Sequence, residues 1–359
     1  MNFNIDEMLP YRDEVRAAVD KVITSGWFVG GPMIEKFEKE WAQFTHQEYA
    51  IGVGNGTDAI RIALLALGIR PGDEVLTSAH GVAYTALAIR SIGAVPVFVD
   101  IDPATYVPSV GAYNGAITAK TRAIVPVYLY GLVSQAKEIK EFAEKYNLMV
   151  VADAAQAHGG ITAGDAHAVA YSFYPTKNLG ALGEAGAITT DIPVVAERAR
   201  RLRDAGRTDR YVHVPPSGVN SMLDEIQAAV LSVKLPYLTK RNEARHKLAW
   251  RYREALTGLP LGMQYPWYAQ HSWHLFVVQS PLRNGIRQYL QHRGIPTLIH
   301  YPLPVPRQPV FVEEQLLNGP WPNTEKVCNE IFSLPMHADL AAEDQEKVIS
   351  TLRKYFHAD

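Results

Sequence analysis

Residues 148–159 read LMVVADAAQAHG. Five apolar residues, Leu148 to Ala152, run without a polar interruption and stop at Asp153. A half-exposed strand would alternate polar and apolar residues, whereas an unbroken short run fits a strand covered on both faces. The same pattern recurs outward from this point. "DEVLTS" (73–78), "VPVFVD" (95–100) and "RAIVPVY" (122–128) precede it; "AVAYSF" (168–173) and "GAITT" (186–190) follow. Helical patterns lie between several of them, such as "AYTALAIRSIG" (83–93) and "QAKEIKEFAEKYN" (135–147). Continuous apolar strands alternating with helices predict an α/β fold with a mostly parallel central sheet. Ligands in such sheets bind beyond the carboxyl ends of the strands, so the residues just after each strand are the candidates for chemistry.

Beyond residue 220 the character changes. Residues 221–256, "SMLDEIQAAVLSVKLPYLTKRNEARHKLAWRYREAL", form a long helical pattern with a break expected near Pro236. The remainder mixes a strand, "SWHLFVVQS" (272–280), with the helices "NGIRQYLQHRG" (284–294) and "AEDQEKVISTLRKYF" (342–356). The expected division is a large domain over 1–235 and a smaller α+β domain over 236–359.

Composition narrows the function classes. With 47% apolar and 20% charged residues the 359-residue chain has the make-up of a globular protein. A net charge of −2 gives no footprint for nucleic acid. Cys328 is the single cysteine, which excludes an intramolecular disulfide framework and a cysteine-built zinc site. The N-terminal stretch MNFNIDEMLPYRDEVRAAV is polar and acidic rather than signal-like. No apolar run reaches the roughly 18 residues of a membrane span. The expectation is a cytoplasmic protein without nucleic-acid, membrane or metal partners.

Three strand ends carry the candidates. After "EYAIGVG", the residues Asn55-Gly56-Thr57-Asp58 open a helical pattern. Free N–H groups and the helix dipole there favour a phosphate; a plain turn with a Thr57 cap is the competing reading. Asp153 ends its strand where it can pair with a protonated ring nitrogen of a cofactor, or serve as a helix cap or ion-pair member. "SFYPTKNLGALGEAG" (172–186) supplies Ser172 and, five residues on, Lys177 among small residues. Alone, Lys177 reads equally as a solvated surface charge. Together, a phosphate cup, an acid and a lysine after strands of one sheet match the needs of pyridoxal 5'-phosphate. Its phosphate is anchored, its ring nitrogen faces a carboxylate and its aldehyde bonds to lysine.

The chain resembles the DegT/DnrJ/EryC1/StrS sugar aminotransferases, of type I aspartate-aminotransferase fold. The resemblance runs through "SGWFVGGPMIEKFEKEWAQF", "GVGNGTDAI", "ADAAQAHGG", "SFYPTKNLGALGEAG", "GVNSMLDEIQAAVLSVKL", "GIPTLIHYPLPVPRQPVF" and "SLPMHADL". It implies that Lys177 is the Schiff-base lysine and Asp153 the pyridinium partner. Gln156 lies near the ring hydroxyl, and Ser172 with the Gly56-Thr57 backbone forms the phosphate cup. Asn220 reaches the phosphate in a neighbouring subunit, which implies a homodimer with shared active sites. His300 and Tyr301 fall close to the nucleotide-sugar pocket. The chain departs from the family at Met222, where many members have arginine, and at Ala185, where many have glycine. Val82 stands where an aromatic usually stacks on the cofactor ring; His80 and Tyr84 are the nearby side chains that could replace it.

The resemblance implies transfer of an amino group from L-glutamate to a nucleotide-linked keto sugar, with C3 of a dTDP-3-keto-6-deoxyhexose preferred over a 4-keto substrate. Lysine rather than histidine at 177 favours transamination over dehydration. Two rival classes are a PLP- or sugar-nucleotide-binding regulator without catalysis, and a nicotinamide-dependent oxidoreductase. For the second, the third glycine of the "GVGNGT" loop falls one residue early.

Overall fold

The computed structural model describes residues 11–161, 163–215, 218–265, 270–313 and 319–357. The first ten residues of the N-terminal stretch lie outside that set. Seven strands form the central sheet: β1 (Tyr49–Val53), β2 (Glu74–Ser78), β3 (Val95–Val99), β4 (Thr121–Val125), β5 (Met149–Asp153), β6 (Ala168–Ser172) and β7 (Gly186–Thr190). Their order across the sheet is β1-β7-β6-β5-β4-β2-β3. Pairing is parallel from β6 through β5, β4 and β2 to β3, while β7 runs antiparallel to both β6 and β1. The carboxyl ends of six strands and the start of β7 therefore share one edge, on which residues 54–57, 153 and 172 all lie.

The unbroken apolar runs follow from coverage on both faces. Along β5, Val150 and Ala152 enter one core, with Phe37, Trp41, Ile139 and Leu231 from helices; Val151 enters the other, with Ile62, Ala63 and Ala199. In β4, Ile124 faces the first core and Ala123 and Val125 the second. Burying a large aliphatic side chain contributes about 1.5–3 kcal/mol, so each strand is held from both sides.

Two N-terminal helices, Arg12–Ser25 and Pro32–Phe44, pack on the helix Glu225–Lys234. Glu225 is buried, and its carboxylate accepts from the backbone N–H of Gly31 (2.9 Å), Met33 (2.9 Å) and Ile34 (3.1 Å). These are orphan donors at a helix start, which need such a partner. The helix begins at Glu225 rather than Ser221 because the preceding backbone is engaged elsewhere: Asn220 bridges Asp204 and Met222 bridges Val53. It stops at Lys234, a single 3-10 turn, Leu235–Tyr237, carries Pro236, and a second helix runs Leu238–Leu256.

β8 (Arg207–Asp209) and β9 (Val212–His213) form an exposed antiparallel pair. The C-terminal part has an antiparallel sheet of β10 (Gly262–Met263), β11 (Phe276–Gln279) and β12 (Ile331–Leu334). With the helices Arg283–Gln291 and Ala342–Phe356 it closes a third core around Tyr252, Phe276, Leu290, Phe332 and Leu352. Among the described residues no helix is long and apolar enough to cross a membrane.

Candidate active site

The helix Gly56–Ala66 starts at the shared strand edge because Asn55 caps it, its side chain accepting the Asp58 N–H at 2.8 Å. Asp58 Oδ2 accepts from Asn55 Nδ2 (3.0 Å) and the Ser221 hydroxyl (2.7 Å). A Cβ added at Gly56 would fall 2.6 Å from Ser172 Cβ, and one at Gly186 would fall 2.6 Å from the Asn55 carbonyl. These two glycines therefore bring the helix start against the ends of β6 and β7. Among the described residues the Thr57 hydroxyl has no hydrogen-bond partner, and Ser172 Oγ accepts only a long bond from Tyr174 N (3.4 Å). Backbone N–H groups at a helix start beside two available hydroxyls form a cup suited to a phosphate.

Asp153 ends β5 buried. Its Oδ2 accepts from the Thr85 hydroxyl at 2.6 Å and its Oδ1 from the Ala155 N–H at 3.1 Å. Burial raises its pKa from the ordinary carboxylate value, opposed by the Thr85 and Ala155 bonds and the Lys177 charge. Lys177 follows β6 in a tight turn closed by Lys177 N–H to Tyr174 O at 2.8 Å. Burial brings its amine down to about 8, against the pull of Asp153 and Glu184 in the opposite sense. Among the described residues its amine forms no hydrogen bond or ion pair. An amine lowered to about 8 reaches the neutral form, the state in which lysine is a nucleophile and base, at a lower pH than an ordinary lysine, while the protonated form still predominates at about pH 7.

The loop that carries Lys177 is fixed from three directions. Asn178 Nδ2 donates to Ser272 O (2.7 Å) and Asn242 Oδ1 (2.9 Å), and Asn178 Oδ1 meets His274 Nδ1 (3.1 Å). His158, buried against Trp41, accepts the Leu179 N–H at Nδ1 (3.1 Å) and donates from Nε2 to Ser172 O (3.0 Å). Burial drops its pKa to about 3, with the Lys177 charge adding to the fall, so the ring stays neutral. Gly180 leaves space for the Pro175 carbonyl, which an added Cβ would approach to 2.4 Å. The glycines of this run thus serve close backbone packing.

Gln156 joins the two parts of the chain. Its Oε1 accepts the Tyr130 N–H (2.6 Å) and its Nε2 donates to the Tyr301 hydroxyl (3.1 Å). Tyr301 is thereby held beside Gln156, and its pKa is pushed up to about 12, chiefly by burial. His300 Nδ1 lies 2.8 Å from Ser333 Oγ, and its carbonyl accepts the Tyr130 hydroxyl. Asn220 is exposed, next to Ser221, whose Oγ also accepts the Gly54 N–H (3.1 Å). The loop after β2 separates its two candidates. His80 is 1% exposed, with Nε2 at 2.8 Å from the Tyr130 hydroxyl and Nδ1 at 3.4 Å from Cys328 Sγ. Both ring nitrogens meet partners inside the protein. Tyr84, at the start of the helix Tyr84–Ser91, is 62% exposed, and Val82 is half-buried. Thr85 and Asn178 were not singled out in the sequence, and His158 was noted only as following Asp153. Asn178's place next to Lys177 is a local signal; Thr85 has none.

A model of the DegT/DnrJ/EryC1/StrS aminotransferase family matches residues 11–353. The chain belongs to this family. A Streptomyces venezuelae relative named dTDP-3-amino-3,4,6-trideoxy-alpha-D-glucose transaminase is 40% identical over 355 residues, covering 96% of this chain and 92% of the relative. The solved structure of S. venezuelae DesV in complex with a ketimine intermediate superposes with a TM-score of 0.94 at 39% identity, covering 98% and 96% of the two chains. NtdA from Bacillus subtilis, solved with bound cofactor PMP, gives 0.92 at 32% identity, covering 97% of this chain and 82% of that one. As a family member the chain is an aminotransferase of the PLP-dependent α/β fold, and the convergence of Lys177, Asp153 and the helix start at one strand edge fits that membership.

Proposed function

We propose that this aminotransferase uses pyridoxal 5'-phosphate to move the amino group of L-glutamate onto a nucleotide-linked keto deoxysugar. The preferred acceptor is C3 of a dTDP-3-keto-6-deoxyhexose, giving a 3-amino sugar. The observation that carries the reading is the half-buried, unpaired Lys177 amine in the field of the buried Asp153 carboxylate, at the strand edge where the helix Gly56–Ala66 also starts. The donor set suits the cofactor: an amine for its aldehyde, a carboxylate for its ring nitrogen, a cup for its phosphate.

When bound, pyridoxal phosphate supplies an electron sink for the pair left when the amino donor loses its Cα proton. The rest is the work of the chain. Asp153, held as a carboxylate by two donors, keeps the ring nitrogen protonated. Lys177 would hold the cofactor's aldehyde, and its amine is the base that would take the donor's Cα proton and hand it back. The Gly56-Thr57 backbone and Ser172 would hold the phosphate, and Gln156, bonded to the Tyr301 hydroxyl, would serve the ring hydroxyl. His158 and Asn178 keep the lysine loop in register with the cup. One water is taken up as glutamate leaves as 2-oxoglutarate, and one is given back as the sugar carbonyl oxygen leaves, so the transfer consumes no net water. Exposed Asn220 fits a homodimer in which it completes the phosphate site of a second copy. Tyr301, His300 and exposed Tyr84 are the side chains assigned here to the nucleotide sugar.

The preference for C3 follows the S. venezuelae relative. Its test is product analysis by mass spectrometry and NMR after the PLP-loaded protein is given L-glutamate with a panel of 3-keto and 4-keto nucleotide sugars. Amination at C3 is the expected result; amination of 4-keto substrates alone would refute the preference while leaving the aminotransferase reading in place.

A further inference from the structure

Asp153 is placed where it matters by a residue outside the sequence motifs that surround it. Its two oxygens receive one donor each from the protein: the Ala155 N–H at Oδ1 and the Thr85 hydroxyl at Oδ2. The first comes from the neighbouring backbone and moves with the strand end. The second crosses 68 residues of sequence, from the first turn of the helix Tyr84–Ser91, and at 2.6 Å has the length of a charge-assisted O–H···O⁻ bond. Thr85 and Asp153 are 5% and 7% exposed, so water does not compete for the bond. The terminal torsion of an aspartate is soft and broad, and one donor on each oxygen is what stops it turning. A β-branched donor is stiff at χ1, which makes threonine a firm support.

We infer that Thr85 is a positioning residue for the reaction: its hydroxyl fixes the plane of the Asp153 carboxylate and keeps it ionised, so that a ring nitrogen above it stays protonated. Removing a hydrogen bond to the charged form of a carboxylate raises its pKa. The same loop holds Val82 and places His80 in the core, so it brings no aromatic ring from those positions to the cofactor. The grip on the ring therefore depends more heavily on the carboxylate that Thr85 aligns. This inference rests on the PLP-dependent reading proposed above.

The test uses the full-length protein and the variants Thr85→Val, Thr85→Ser and Thr85→Ala, stripped of cofactor and titrated with PLP by absorbance. Thr85→Val keeps the shape and loses the donor. It is expected to bind PLP about tenfold more weakly and to react with L-glutamate about tenfold more slowly. The acid limb of that half-reaction should move up by about one pH unit, with KM for the nucleotide sugar unchanged. Thr85→Ser should restore wild-type values. A folded Thr85→Val protein with wild-type PLP affinity and an unmoved acid limb would overturn the inference. If Thr85→Val does not fold, the serine and alanine variants decide: serine matching wild type with alanine impaired supports it, and serine matching alanine refutes it. Wild-type protein that binds no PLP would instead remove the parent reading.

Discussion

Two buried carboxylates in this molecule are built in opposite ways. Glu225 sits at the start of its helix and accepts three backbone N–H groups from the turn that opens the helix Pro32–Phe44. Its role is to cap that helix and tie the N-terminal helices to the helix Glu225–Lys234. Asp153 accepts only two donors from the protein, and burial raises its pKa. It stands near an amine that is itself desolvated and without an ion-pair partner among the described residues. Saturation makes a carboxylate a structural clamp. A carboxylate left with spare acceptor capacity, next to an amine left unpaired, costs stability and is retained where chemistry needs it.

That contrast can be broken by exchanging losses. Lys177→Ala should cost most: conversion of the visible cofactor band by L-glutamate should slow by on the order of 10²–10⁴-fold or more, read by stopped-flow absorbance. Asp153→Asn should slow the same step by on the order of 10²–10³-fold. Its melting temperature should hold or rise, because a poorly compensated buried charge has been removed. Glu225→Gln should do the reverse: it presents an amide to three N–H donors and should lose about 1–3 kcal/mol in chemical denaturation, with turnover near wild type. A Glu225→Gln protein that lost activity without losing stability would erase the distinction. Gly56→Ala sharpens it on the phosphate side. A methyl group 2.6 Å from Ser172 Cβ forces the cup open, weakening PLP affinity by an amount equivalent to about 1–3 kcal/mol of overpacking. The smallest effect is on pH. The Lys177 pKa lies below that of a solvated lysine, so capture of PLP by cofactor-free protein should accelerate with a midpoint at about pH 8. The same depression means the folded state binds fewer protons than the unfolded chain above that value. The stability of the cofactor-free protein should therefore fall as pH drops from the ordinary lysine range toward about 8 and level off below it. Lys177→Met should abolish that slope.

Much of this was legible in the sequence where the signal is local. Leu148–Asp153 announces a doubly covered strand ending on an acid, and Ser172 with Lys177 follows another strand by a fixed count of residues. Pro236 marks the break between the two long C-terminal helices. What escaped depends on contacts made across the fold. Thr85 meets Asp153 only because two strands run parallel and end at one edge. His158 finds Leu179 and Ser172 across a turn, and nothing in "AQAHG" says which way its ring faces. His80 is a candidate from its place in the loop; that its ring nitrogens meet Tyr130 and Cys328, 50 and 248 residues away, is not written in the local sequence. The helix expected from Ser221 begins at Glu225 because bridges to Asp204 and Val53 hold the backbone extended, a tertiary constraint that periodicity does not carry.

The direct test of Lys177 as the cofactor anchor is borohydride reduction of the PLP-loaded protein followed by peptide mass spectrometry. Reduction makes the lysine–cofactor link permanent, so its address can be read. The label should sit on Lys177 alone and disappear in Lys177→Ala. A label on another lysine, or none on wild-type protein saturated with PLP, would contradict the assignment.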